Sequence, residues 1–170
     1  FEQIRLMGGI SDMYYGWEPL RDIGQPKSLM RSSYICARGE DDTDNKLTEL
    51  ALKRIREDQP DFIFLYQVET DEKGGHDNGW MSEPYLGYIH VAIENVKRVY
   101  EAIQEVREKT GDNYTLIITA DHGGHDRLHG TQMKEEIKAY LIAQGYEVKD
   151  FGTYDNASCD LSDFVYPAAL

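Results

Sequence analysis

The chain contains five histidines, and four of them fall in two short stretches. His76 closes Asp71-Glu72-Lys73-Gly74-Gly75-His76, while His122, His125 and His129 lie within Asp121-His122-Gly123-Gly124-His125-Asp126-Arg127-Leu128-His129-Gly130. Each stretch offers carboxylate together with imidazole, the ligand mix that suits zinc or another borderline divalent ion. Aspartate, glycine and histidine also furnish ordinary polar turns, so one Asp-His pair alone carries little weight. Two such stretches in a chain otherwise poor in histidine weigh toward a metal site. The fifth, His90, falls inside a helical pattern, beside its apolar stripe, where a packed or half-exposed histidine is the ordinary reading.

The elements around the two stretches place both at strand ends. Leu47, Leu50, Ala51 and Ile55 recur at three- and four-residue spacing, Asp44 is available as an amino-terminal cap and Pro60 as a stop, which predicts a helix. Phe62-Ile63-Phe64-Leu65-Tyr66 is an unbroken apolar run, as expected for a strand covered on both faces in a parallel sheet, and it leads into Glu69-Thr70-Asp71. A long helix follows: Ser82 caps it, Pro84 fits its first turn, Leu86, Ile89, Ile93, Val96, Tyr100 and Ile103 form its apolar face, and Gly111 ends it. Tyr114 to Ala120 reads as a second buried strand that delivers Asp121-His122-Gly123-Gly124 at its carboxyl end, where open α/β sheets gather ligands. Met133, Ile137, Tyr140 and Leu141 predict one more helix ended by Gly145, then a short strand from Val148 to Phe151. Residues 1 to 45, with Gly8-Gly9, Pro19, Pro26 and the acidic Glu40-Asp41-Asp42, read as loops with short elements. The order helix, strand, helix, strand predicts an α/β fold, a mostly parallel sheet flanked by helices.

Composition narrows the partners. The 170 residues, 41% of them hydrophobic, suffice for one domain with a real core. A formal charge of −13 repels polyanions, so no nucleic-acid partner is expected. No apolar run approaches a membrane span, and no membrane partner is expected either. Cys36 and Cys159 are too few for a disulfide framework, which points to a cytoplasmic protein. The first residue is Phe1, and the expectation is that the chain starts inside a longer protein.

Two family resemblances carry these residues further. Glu69 to His76 with Asn78-Gly79-Trp80-Met81-Ser82, and then Thr119 to Thr131, resemble the metal motifs of the alkaline phosphatase superfamily, in its type I phosphodiesterase and nucleotide pyrophosphatase branch. The likeness spans residues 10 to 131 and implies an alkaline phosphatase-like core, present as a fragment. It also implies a metal-dependent hydrolase acting on a small phosphorylated substrate with zinc, or manganese, as cofactor. Carried over by position, Asp71, His76 and His129 would hold one metal and Asp121 and His122 a second, leaving His125 and Asp126 without a role. Four residues separate Asp71 from His76 where the family commonly has three, so the loop must bulge or the pairing shift. The family's threonine or serine nucleophile has no counterpart: Ser32 and Ser33 lack a preceding apolar strand and a base, and the nucleophile is expected upstream of Phe1.

Beyond Thr131, Met133 to Leu141, Gly145 to Tyr154, Ser158-Cys159-Asp160 and Asp163-Phe164 resemble the first helix and second strand of type B ribose-5-phosphate isomerase. That family's preceding strand ends in Ser-Asp-His-Gly-Gly, similar to Ala120 through Gly124. This resemblance implies sugar-phosphate contacts at Asp121 and His122 and no metal. Leu161 and Ser162 stand where a tyrosine and a proline are expected, the catalytic cysteine would fall beyond Leu170, and Cys159 reads as an ordinary small side chain. The chain thus divides into a partial metal-binding domain, 1–131, and a helix-strand segment, 132–170, expected to pack on the same sheet. Three functions stand open: a hydrolase fragment first, a sugar-phosphate isomerase fragment second, and a non-catalytic α/β module that binds metal or phosphate third.

Overall fold

In a computed structural model of the chain, the described residues are 1–24, 31–35, 40–145 and 148. A helix α1 (Glu2–Leu6) precedes β1 (Ser11–Tyr15), followed by a 3₁₀ turn (Glu18–Leu20), α2 (Arg21–Gly24) and β2 (Arg31–Tyr34). Then come α3 (Thr43–Glu57), β3 (Phe62–Leu65), a π-helical turn (Thr70–His76) and α4 (Glu83–Thr110). β4 (Thr115–Thr119), α5 (Lys134–Ile137) and β5 (Leu141–Gly145) complete the described elements. The fold is α/β.

The main sheet has the order β2-β1-β3, all parallel, with β1 at its centre and buried along its whole length. Met13 and Tyr15 point to one face, against Leu20, Phe1, Phe64 and Tyr66. Tyr14 points to the other, against Leu47 and Ala51 of α3, as the two-residue period of a strand requires. Hydropathy conceals this strand because Asp12 sits in it, fully buried. Arg31, directly opposite in the parallel register, reaches Asp12 at 2.6 and 2.9 Å, and the Tyr14 hydroxyl donates to it at 3.0 Å. The central strand thus lies within residues read as loops, and Ser32 and Ser33 are themselves strand residues of β2.

Several elements differ from expectation, each for a local reason. β3 is an edge strand and only half buried, with Phe62 39% exposed; the strand covered on both faces is β1. β4 does not join the parallel sheet. It pairs antiparallel with β5, Thr115 opposite Gly145 through Thr119 opposite Leu141, in a separate two-stranded sheet. The mostly parallel single sheet is therefore corrected to a small parallel sheet plus an antiparallel ribbon. The helix predicted from Met133 to Gly145 is reduced to Lys134–Ile137, because Leu141-Ile142-Ala143 satisfy the backbone edge of β4 instead. The strand predicted from Val148 to Phe151 lies, except for Val148, outside the described residues.

α4 starts and stops where its sequence says: Ser82 Oγ accepts the Tyr85 amide at 3.2 Å, Pro84 sits in the first turn, and Gly111 ends it at φ +81°. Its buried residues Ala102, Ile103 and Val106 pack on Leu52 and Ile55 of α3, with Ile63 and Leu116 against the same cluster. This cluster ties β3 and β4 to one support, so the loops at their carboxyl ends share a frame. No described helix is long and apolar enough to cross a membrane.

Leu52, 3% exposed, carries that support, while Leu50, on the same helix, is 39% exposed. Leu52→Ala is expected to cost about 2–5 kcal/mol in urea unfolding, and Leu50→Ala less than about 0.5 kcal/mol. Equal costs would show that the α3–α4 contact does not carry the fold.

Candidate functional site

β3 is prolonged by the Tyr66 amide, which donates to the Tyr14 carbonyl at 2.8 Å. The chain then buries Val68 and Glu69 and enters the π-helical turn. In such a turn the backbone repeats at five residues, one wider than in an α-helix. Asp71 and His76, with four residues between them, therefore stand one turn apart, and His76 Nε2 comes within 3.7 Å of Asp71 Oδ1.

The second loop leaves β4 at Asp121 and folds back on the first. The Trp80 amide donates to the Asp126 carbonyl at 2.7 Å, and His125 and Leu128 form an isolated bridge. The Trp80 indole lies over two glycines: a Cβ on Gly75 would meet the ring at 2.5 Å, and one on Gly124 would run into it. A larger residue at Gly124 would push the loops apart, and one at Gly75 would displace the Trp80 ring. Trp80 also meets His76 and His129 edge to face, at 5.3 and 5.9 Å between ring centres.

The loops bring together Asp71, His122 and His129, each placing one ligand atom within 4.8 Å of the others. His129 Nε2 is 3.6 Å from Asp71 Oδ1, and the His122 and His129 rings stack at 3.9 Å. His76 flanks the group, its ring 4.9 Å from that of His129. Asp121 lies at the edge: His122 Nε2 is 3.8 Å from its Oδ2, and Tyr66 donates to that oxygen at 3.2 Å. Tyr66, which ends the apolar run of β3, is not a candidate from sequence, because its role exists only once the loop after β4 brings Asp121 to its hydroxyl.

Hydrogen bonds fix the tautomers of two rings. His76 Nδ1 faces the Arg127 carbonyl at 2.9 Å and His122 Nδ1 faces the Gly123 carbonyl at 2.8 Å. A carbonyl accepts only, so Nδ1 carries the proton in each ring, and in the neutral imidazole Nε2 keeps a lone pair. Asp71 Oδ1 is buried and has no hydrogen-bond partner among the described residues. Burial raises the Asp71 acid above its usual range, against the lowering effect of His76, His129 and His122. A desolvated oxygen faced by imidazole lone pairs is unfavourable until a proton or cation stands between them.

Glu136 and His125 form a second polar contact that the sequence did not signal. Glu136, 3% exposed, accepts from the Thr131 amide and hydroxyl, both at 2.6 Å, and lies 3.1 Å from His125 Nε2. Asp126 meets the other ring nitrogen at 3.1 Å. The Asp126 hydrogen bond pushes the His125 imidazole upward, and Thr131 pulls the Glu136 acid down. The His125 contribution to stability is complete below its ordinary 6.5 and is lost as pH rises through the raised folded value. The Glu136 contribution is present above its ordinary 4.5 and is lost as pH falls through the lowered one. The advantage of the wild type over His125→Gln in urea midpoint should therefore peak between pH 4.5 and 6.5. A constant advantage from acid to alkaline pH would contradict the ion pair.

Comparison with known proteins bears on one part of the chain. The sequence pattern of the Ribose/Galactose Isomerase family matches residues 116–170, from within β4 onward, about a third of the length. Among curated proteins, none matches the chain. The hydrolase reading is thereby corrected: phosphodiesterase, nucleotide pyrophosphatase, alkaline phosphatase superfamily and zinc were read from motifs of which Asp121-His122-Gly123-Gly124 falls inside the isomerase match. Ser158 to Asp160, with Cys159, and Cys36 lie outside the described residues.

Proposed function

We propose that the chain binds a small phosphorylated sugar at the carboxyl end of β4, in the manner of a sugar-phosphate isomerase, with Asp121 and His122 as contacts. The observation that carries this reading is the match to Ribose/Galactose Isomerase, which begins in β4 and includes the loop that follows it. The local chemistry agrees. The Asp121 side chain is 58% exposed, and beside the bonds its oxygens accept from Tyr66 and the His122 amide each keeps a lone pair for a sugar hydroxyl. With Nδ1 held on the Gly123 carbonyl, His122 leaves Nε2 available toward the site, where it can accept from a sugar hydroxyl. The role proposed for these residues is binding and orientation; the proton transfer between adjacent carbons that defines such an isomerase needs a base, and no described residue is assigned to it.

A second reading has its own observation. The orphaned Asp71 Oδ1, with His122 and His129 around it, fits a divalent cation, and His76 and Asp121 border the same place. A cation held there would neutralise the charge of a bound phosphate. His122 serves both readings.

Calorimetric titration with ribose 5-phosphate tests the first. Saturable binding, competed by inorganic phosphate and weakened about tenfold by Asp121→Asn or His122→Gln, is expected, with His90→Gln unchanged. No saturable binding would sink the proposal. Repeating the titration after chelation separates the readings: a heat of binding that survives chelation belongs to the sugar-phosphate contacts alone.

A further inference from the structure

One buried carboxylate outside the loops reaches the site through a single peptide unit. Asp44, in the first turn of α3 and 2% exposed, does not cap its own helix. Its Oδ1 accepts the Val68 amide at 2.9 Å and its Oδ2 the Glu69 amide at 3.0 Å, while its own amide donates to Glu69 Oε2 at 3.1 Å. Glu69, 3% exposed, is paired with Lys73 at 2.9 Å, and Lys73 also donates to the Glu40 carbonyl at 2.7 Å. The peptide between Val68 and Glu69 is thus held from both sides. Its N–H goes to Asp44, and its carbonyl accepts the amides of Asp71, at 3.2 Å, and Glu72, at 3.0 Å.

We propose that Asp44 is a positioning residue for the divalent-cation site: by clamping the Val68–Glu69 peptide it sets where the Asp71 carboxylate stands relative to His122 and His129. The proposal rests on the cation reading given above. It differs from simple support of the fold because Asp44 bonds the amides of Val68 and Glu69, whereas Leu52, on the same helix, packs in the α3–α4 cluster. Loss of a group that orients a metal ligand typically weakens affinity by 10- to 100-fold.

The test is a cobalt(II) titration in a Trp17→Phe background, so that quenching of Trp80 emission reports binding, together with the cobalt absorption spectrum and amide exchange without metal. Asp44→Asn keeps the shape but sets an N–H₂ against one of the two amides. It is expected to weaken cobalt binding at least about tenfold, to alter the cobalt spectrum, and to speed exchange at Asp71 and Glu72. Asp44→Ser, which keeps one short acceptor, should fall between it and the wild type. Leu52→Ala, destabilised but with the clamp intact, should retain the wild-type spectrum and affinity. Wild-type affinity and exchange in both Asp44 variants would overturn the proposal, as would an equal loss in Leu52→Ala. If the wild type binds no cobalt, the cation reading fails, and exchange at Asp71 and Glu72 alone decides whether Asp44 positions this turn.

Discussion

A carboxylate oxygen withdrawn from water without a donor is the constraint around which this molecule is arranged. Asp71 Oδ1 is buried, and imidazoles from two loops converge on it. Bonds local to the π-helical turn, such as the Glu69–Lys73 pair, are joined by contacts from outside it. The turn is fixed from behind by Asp44, and the opposing loop is fixed by the backbone bond from Trp80 to Asp126 and by the His76 ring, whose Nδ1 bonds the Arg127 carbonyl. Burial pushes the Asp44 acid up to about 7, even though two amides and Lys73 favour its charge, so the clamp itself stores part of the cost of desolvation.

The legibility of these features followed the range of the interactions behind them. α4 was readable because Ser82, Pro84 and Gly111 act within one turn of its ends. β3 and β4 were readable in position from their apolar runs, but not in pairing, since the antiparallel partner of β4 was hidden in a stretch with helical spacing. β1 was not readable at all. An aspartate at the centre of a sheet is tolerable only with Arg31 opposite it and Tyr14 beside it, a partnership between strands that hydropathy along one strand does not contain.

The site shows the same division. The clustering of Asp71, His76, Asp121, His122 and His129 in two loops was visible, because residue type and strand ends suffice to suggest it. That Asp44 serves the Val68–Glu69 peptide rather than its own helix, and that Tyr66 reaches Asp121, depends on contacts across the fold. Function was less legible still. A strand ending in Asp-His-Gly-Gly suits two unrelated chemistries, and the match to Ribose/Galactose Isomerase, which includes this strand end, supports one of them.

His122 Nε2 is where the sugar-phosphate contact and the cation cluster meet, so its response to ligand tests the account most directly. Long-range ¹H–¹⁵N spectra of the imidazole rings, recorded while ribose 5-phosphate is added, resolve that atom from the other ring nitrogens. A saturable shift of His122 Nε2 is expected, with His122 Nδ1 keeping its proton on the Gly123 carbonyl and His90 unmoved. A spectrum in which His122 does not respond, or in which all five histidines drift together, would contradict it.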